Sequence, residues 1–491
     1  MSTGAGMTPQ ATDAPAAIPP GAAQESLLVR GLSTWDGALL TVGSIVGTGI
    51  FITTGDMAKV LPHAGLILLV WLAGGLLTLA GALTYGELGA MFPRAGGLYH
   101  YVKEAYGPLW GFLYGWTAFL VIMTGGIAAL GVAFGEYLGS FLPWFSTQHV
   151  LLSARLGSWT WTLSGGQVAG GLAILLLTAV NHLGLKEGAW TQNALTVLKI
   201  GSIVAFAALG LYVPAKVAPD LYGPVGAAPG GLLAAFGVAM IAALWTYDGW
   251  YGLTCSAGEM RDPGRSLPRG LILGTALVVV LYLFLNLVYA RALTPAAMAG
   301  TPRIAETAAA VLFGPGAARL ISLAVLVSTF GCLSSTILYS SRIYLPMAED
   351  GLFFRSLAKV DPRHRTPVAS LWAQTAWALL LTASGTYSQL YTYVIFASVV
   401  FHAMIAFAVF VFRRRRPDHP RPYRTWGYPV VPALFILACL LLIGNTLKES
   451  PRESLAGLVL VALGLPAYWM FRRGIGSRLE GRTNLSDTSP E

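Results

Sequence analysis

Three glycines within seven residues interrupt an apolar stretch long enough to cross a membrane. The stretch runs from about Trp35 to Val60. Within it, Gly43 to Phe51 reads GSIVGTGIF, with glycine at 43, 47 and 49. A glycine costs about 1 kcal/mol in a helix interior and bares the backbone. Lipid cannot satisfy amides freed in this way. Such a break is tolerable where it lines a cavity or faces a ligand, and an interrupted mid-membrane helix points to a transporter binding site. The alternative is that the glycines are small residues for close helix packing.

Composition agrees with a membrane setting. The 491 residues are 55% hydrophobic and 11% charged, against about 25% charged in a soluble domain. The chain therefore reads as a polytopic, all-α membrane protein. The basic residues behind the net charge of +9 lie in short loops. There they set membrane orientation and do not mark a nucleic-acid partner. Cys255, Cys332 and Cys439 fall in apolar spans without metal-ligand spacing, so they read as packing residues, with no disulfide framework. No metal or cofactor is expected.

Residues 1–30 are rich in Ala, Pro, Gly, Thr and Gln and read as a disordered cytoplasmic tail, without the basic and apolar regions of a signal peptide. Twelve apolar spans follow, at roughly 35–61, 64–91, 107–140, 166–184, 190–214, 231–258, 268–291, 316–347, 367–385, 389–412, 428–447 and 454–472. With the N-terminus in the cytoplasm, roughly 22 of the 31 Lys and Arg fall on the cytoplasmic side and about 8 outside. That asymmetry predicts cytoplasmic N- and C-termini. The Arg413–Arg416 run reads as a stop and anchor at the end of span 10.

Span 6 also breaks near its middle, at Trp245-Thr246-Tyr247-Asp248-Gly249-Trp250. Each break opens a run of five spans. An odd number of spans inverts the second copy, so residues 31–216 and 231–413 read as two inverted repeats. Two extra spans at 427–473 and a cytoplasmic tail at 474–491 lie outside them.

These motifs, taken together, resemble the amino acid–polyamine–organocation transporters, and more narrowly the L-type amino acid transporters. The matching segments are GSIVGTGIF at 43–51, PRAGGLYHY at 93–101, FLYGW at 112–116 and VNHLGLKEGAWTQNALTVLKI at 180–200. LWTYDGW at 244–250, EMRDPGRSLPRG at 259–270, SSRIYLPMAEDG at 340–351 and RPYRTWGYPVVP at 421–432 complete the set. The resemblance implies the five-plus-five inverted-repeat fold with broken helices 1 and 6, one central site and alternating access. It also implies cell-membrane localisation. Eukaryotic members carry a cysteine in the outer loop between spans 3 and 4. Here the loop at about 141–165 has none, so no disulfide-linked heavy subunit is expected.

The residues at the breaks suit an amino acid zwitterion. Amides of about Thr48, Gly49 and Ile50 open the outer half of span 1, and a helix N-terminus suits a carboxylate. Gly47 and Gly49 let the backbone approach closely. Carbonyls of Ser44 and Ile45, with a second set near Trp245 and Thr246, suit an ammonium. In the resembling family these positions hold the substrate's α-carboxylate and α-amino groups, and an aromatic at the position of Trp245 covers the substrate from outside. Asp248, an acid at mid-membrane, either caps freed amides or meets the substrate amine. Glu87, Glu259 and Arg342 lie near cytoplasmic helix ends, where snorkelling is expected over an ion-pair network that closes the inner gate. Glu136 is also intramembrane. His402 reads as a hydrogen-bonded core residue. Ser334 and Ser335 either line the cavity or bond their own backbone.

Lys199 lies too deep in span 5 for easy snorkelling. In sodium-coupled relatives of the fold a cation sits between spans 1 and 8 beside span 5. In the resembling branch a span-5 lysine projects there, with its ammonium toward the carbonyls around Gly43 and Ser44. The reading is a sodium-independent exchanger of neutral amino acids, with a proton-coupled symporter as the alternative. Neither a catalytic motif nor a phosphate loop is present, which argues against an enzyme, and neither tail is long enough for the signalling domain of a sensor.

Overall fold

The computed structural model describes residues 31–472 except 95, 157–158, 184, 224–229 and 365. The tails expected at 1–30 and 474–491 lie outside the described residues.

The first interruption lies where the glycines are. Helix α1 (Thr34–Ile45) ends at the break, a 3-10 turn covers Gly49–Phe51, and α2 (Thr53–Val60) resumes the path. Ser33 starts α1 through a capping box, its hydroxyl taking the Asp36 amide while the Asp36 carboxylate takes the Ser33 amide. Then come α3 (Ala64–Met91), α4 (Gly97–Tyr106) and α5 (Pro108–Leu138), the last with a π-helical turn at Ala118–Ile122. Helices α6 (Gly165–His182) and α7 (Leu185–Tyr212) complete the first half of the chain.

The second interruption follows α8 (Leu232–Tyr247). Gly249 has φ +94°, and helix resumes only in the short α9 (Gly252–Cys255) and a 3-10 turn at Ala257–Glu259. Helix α8 thus continues two residues past the expected start of the break. Trp245 and Thr246 are in its last turn, and the backbone leaves the helix at Asp248, which is extended at φ −60° and ψ 157°, before Gly249 turns left-handed. Next are α10 (Pro263–Ala292), α11 (Pro295–Ala299), α12 (Ile304–Phe313) and α13 (Pro315–Glu349). The chain ends in α14 (Val368–Ser384), α15 (Tyr387–Arg415), α16 (Val430–Glu449) and α17 (Pro451–Ala462), whose path continues as helix to Arg472.

Eight helices among the described residues are long and apolar enough to cross a membrane. Of the other expected spans, two are the interrupted ones, and α6 and α14 are shorter, at 18 and 17 residues. Leucines on outward faces, such as Leu76, Leu172 and Leu441, are exposed, an arrangement that lipid makes favourable. The molecule is a multi-pass membrane protein of helical class.

One hairpin departs from helix. Strands β1 (Val150–Leu156) and β2 (Trp159–Ser164) pair antiparallel within the outer loop expected at about 141–165. Aromatic and β-branched residues alternate in Trp-Thr-Trp-Thr, which suits a strand. Trp161 anchors the hairpin by donating its indole N–H to the Ala383 carbonyl at 2.8 Å.

Candidate functional site

The two interruptions meet at the centre. One cavity is lined by Ser44, Ile45, Gly47, Thr48 and Gly49 from the first break and by Trp245, Thr246, Asp248 and Gly249 from the second. Helix α5 adds Gly126 and Leu130, and α13 adds Cys332, Thr336 and Tyr339. Its volume of about 30 Å³ leaves room for about two water molecules in this state. Among the sequence-predicted residues, Ile50 is fully buried behind the wall and Lys199 stands behind α1.

The amides of Thr48, Gly49 and Ile50 enter no backbone hydrogen bond among the described residues. They are free donors at the head of the path that becomes α2. The carbonyls at the end of α1 are different, because protein donors already reach all four. Lys199 Nζ donates to Gly43 at 3.1 Å and to Val46 at 3.0 Å. The Cys332 thiol donates to Ser44 at 3.1 Å, and the Tyr282 hydroxyl to Ile45 at 3.2 Å. Ser328 adds a second donor to Val46 at 3.2 Å. The Gly43 and Ser44 carbonyls each keep a second lone pair, whereas Ile45 also accepts the Gly47 amide at 2.9 Å and Val46 is served twice.

Cys332 therefore departs from the packing role expected of it, since its thiol lines the cavity and caps a broken helix. Lys199 reaches Gly43 and Val46, while Ser44 is served by Cys332. Sequence reasoning also passed over Tyr282 and Ser328. A lone hydroxyl in the apolar run around Tyr282 was the signal available for the first.

Trp245 closes the cavity on one side. Its indole N–H donates to the Tyr387 hydroxyl at 2.7 Å, and its ring stacks on Tyr391 with centroids 5.8 Å apart. Tyr387 faces a second, wider cavity of about 420 Å³, lined also by Asp56, Lys59, Glu136 and Gln389. The Trp245–Tyr387 pair is the partition between the two. Glu136 is itself held by the Thr147 hydroxyl.

The opposite face, where the described chain begins, is closed by ions. Arg342 Nε meets Glu259 Oε1 at 2.7 Å, with side chains 1% and 5% exposed. Glu87, fully buried, accepts from Arg413 Nε and Nη2 at 3.0 and 2.8 Å and from the Thr425 amide at 2.7 Å. Lys103 and the Tyr99 hydroxyl both meet Asp350. Snorkelling, expected for Glu87, Glu259 and Arg342, is thus replaced by buried pairing, because partners distant in sequence arrive at hydrogen-bonding distance.

Asp248 accepts from the Tyr251 hydroxyl at 3.2 Å. It also borders a small chamber lined by Thr78, Ser398 and His402. The His402 ring sits among Tyr85, Trp250 and Tyr251. Ser335 bonds its own helix at Gly331, and Ser334 accepts from Asn181.

A family model described as amino acid permease matches residues 32–467. The chain belongs to that family. A serine/threonine exchanger, SteT of Bacillus subtilis, is 33% identical over 437 residues, covering 88% of this chain and 95% of that protein. The b(0,+)-type amino acid transporter 1 of Mus musculus is 28% identical, covering 89% and 86%. The large neutral amino acids transporter small subunit 2 of Homo sapiens is 29% identical, covering 88% and 78%. Family and relatives are transporters, not enzymes.

One group in this permease has the composition of a metal site, although no metal was expected. His182, Asp361 and His364 lie together at the end of α6 and in the loop before α14. The Trp372 indole N–H donates to His182 Nδ1, and Asp361 Oδ1 accepts the Arg363 and His364 amides. Those bonds tie the group to α14 and to its own loop, and His364 Nδ1 lies 3.4 Å from Asp361 Oδ2.

Proposed function

We propose that this permease is a sodium-independent exchanger of small neutral L-amino acids, working by alternating access across the cell membrane. The observation that carries this is the capping of the α1 carbonyls at 43–46 by protein donors, one of them the Lys199 ammonium. A fixed positive charge stands where a mobile cation would otherwise be needed. The name of the B. subtilis relative supports exchange and hydroxyl-bearing substrates, and the small cavity suits them.

In this reading the substrate carboxylate takes the free amides of Thr48, Gly49 and Ile50. Its ammonium takes the remaining lone pairs of Ser44 and Thr246 and competes with the Tyr282 hydroxyl for Ile45, with Asp248 nearby. The face closed by Arg342–Glu259 and Glu87–Arg413 is cytoplasmic, as the basic loops favour, with both termini on that side. The wide cavity beyond Tyr387 is then the outer vestibule. Twelve crossings follow if the two interrupted helices, α6 and α14 each span, and the two breaks then head two inverted five-span repeats.

The test uses the purified chain alone in proteoliposomes. Uptake of radiolabelled serine should require internal amino acid, proceed without sodium and ignore a proton gradient. A need for a second protein, or a sodium requirement, would overturn the reading. A proton-coupled symporter is the rival, favoured by Asp248 lying between the cavity and the Ser398–His402 chamber. It predicts concentrative uptake into empty vesicles under an inward proton gradient.

Trp245→Ala should slow turnover on the order of tenfold, through one lost hydrogen bond and one lost ring stack. It should also widen the range of competing amino acids. Unchanged uptake with an unchanged competition profile would show that Trp245 is not a gate.

A further inference from the structure

Asp361 and His364 share the loop before α14, and that loop presents both to the end of α6. Asp361 Oδ1 accepts the Arg363 and His364 amides at 2.7 and 3.2 Å. The Asp361 amide donates in turn to the Thr366 carbonyl at 2.9 Å. These bonds fix the loop and leave Asp361 Oδ2 turned toward His364 Nδ1 at 3.4 Å. His364 Nδ1 is sealed from solvent, yet it has no hydrogen-bond partner among the described residues. Across from it stands His182, the last residue of α6, its ring edge-on to that of His364 with centroids 5.4 Å apart.

The three side chains offer one oxygen and two imidazole nitrogens, and a ligating atom of each lies within 4.8 Å of the others. Two ligands held at about 2.1 Å by a tetrahedral ion stand about 3.4 Å apart. Asp361 Oδ2 and His364 Nδ1 already have that spacing, so His182 is the ligand that has to close in. What restrains it is Trp372, whose indole N–H donates to His182 Nδ1 at 3.2 Å. A neutral imidazole carries one proton, and an accepting Nδ1 puts it on Nε2. A metal on Nδ1 displaces the indole. A metal on Nε2 moves the ring proton to Nδ1, where it faces the indole N–H. By either route, ligation through His182 breaks the Trp372 bond.

We infer that His182, Asp361 and His364 form a binding site for Zn²⁺. Two imidazoles and a carboxylate are a donor set of three-ligand zinc sites, with the fourth position left for water. Mg²⁺ and Ca²⁺ prefer all-oxygen surroundings and are poorly served by two imidazoles. The three side chains are half-buried, so an ion reaches them from solvent. Binding exchanges one tether of α6 for another. The bond to α14 through Trp372 is released, and a metal bridge to the loop before α14 replaces it. None of the three residues lines the central cavity, and the site stands whether or not the exchanger reading does.

The experiment titrates Co²⁺, a coloured stand-in for Zn²⁺, into the full chain in detergent, purified without a polyhistidine tag and stripped with a chelator. One equivalent should bind with micromolar affinity and give the visible bands of a tetrahedral ion. One equivalent of Zn²⁺ should erase them, since zinc stands above cobalt in affinity for such a site, while millimolar Mg²⁺ should not. Asp361→Asn and His364→Gln should each weaken binding at least about tenfold, because even an outer-shell partner is worth that much. Both should keep wild-type serine uptake, which shows that they fold. Trp372→Phe should tighten Co²⁺ binding about fivefold, the equivalent of one opposing hydrogen bond removed. A cluster that only anchors the loop gives no such gain. The absence of a saturable spectrum overturns the site, and so does a spectrum that neither Asp361→Asn nor His364→Gln alters. Unchanged or weaker binding by Trp372→Phe also overturns it, by removing His182 from the ligand set. Should Asp361→Asn fold poorly, His364→Gln and Trp372→Phe still decide.

Discussion

Gly49→Val is expected to abolish uptake, by about a hundredfold or more, while the protein still folds. A Cβ at Gly49 would lie 2.7 Å from Thr246 Oγ1 and 3.0 Å from both Thr246 Cα and Cβ. Thr246 cannot yield easily. Its hydroxyl bonds Thr53 at 2.7 Å and the Ala242 carbonyl at 2.8 Å, and Cα is backbone. The side chain would drive the first break away from the end of α8, displacing the free amides of Thr48 to Ile50. A displacement near 1 Å at such a site costs about a hundredfold, and overpacking costs only about 1–3 kcal/mol of stability. Gly201→Val is the control, since a Cβ there meets nothing within 4 Å. The measurement is radiolabelled serine uptake beside a size-exclusion profile. Wild-type uptake by Gly49→Val would remove these amides from the substrate site.

The first break was legible because three glycines in a membrane-length stretch have few other uses. The second was legible only approximately. Its marker is Gly249, yet the reading began the break at Trp245, because an aromatic–polar run does not say where the last helical hydrogen bond falls. The buried ion pairs were not legible at all. Glu87 and Arg413 are 326 residues apart, and Arg342 and Glu259 are 83 apart. A charge near a helix end looks the same in sequence whether it snorkels or pairs. Tyr282 and Cys332 were missed for a related reason. One hydroxyl or thiol on an apolar helix gains meaning only when its neighbour is a helix end with spare carbonyls, and that neighbour comes from another part of the chain. Lys199 was the exception, because an ammonium at that depth demands a partner in any fold.

Lys199→Ala is expected to reduce exchange by at least about a hundredfold while weakening serine binding much less. The lysine is 1% exposed and donates to Gly43 and Val46, on either side of the point where α1 ends. Charge-assisted hydrogen bonds contribute about 1.5–3 kcal/mol each, so two of them amount to a shift of a hundredfold or more in the position of that helix end. Their loss falls unevenly. Val46 keeps the Ser328 hydroxyl at 3.2 Å, whereas the Gly43 carbonyl keeps no side-chain donor among the described residues. Helix α1 should therefore loosen at Gly43 first, on the side of α1 away from the free amides of 48–50. Binding survives better than turnover because the carboxylate end of the site is intact. Lys199→Arg should not restore exchange, since a planar guanidinium on a longer stem cannot place one compact donor group between these two carbonyls. Wild-type exchange by Lys199→Ala, in sodium-free buffer and without a proton gradient, would show that the charge behind α1 takes no part in moving it.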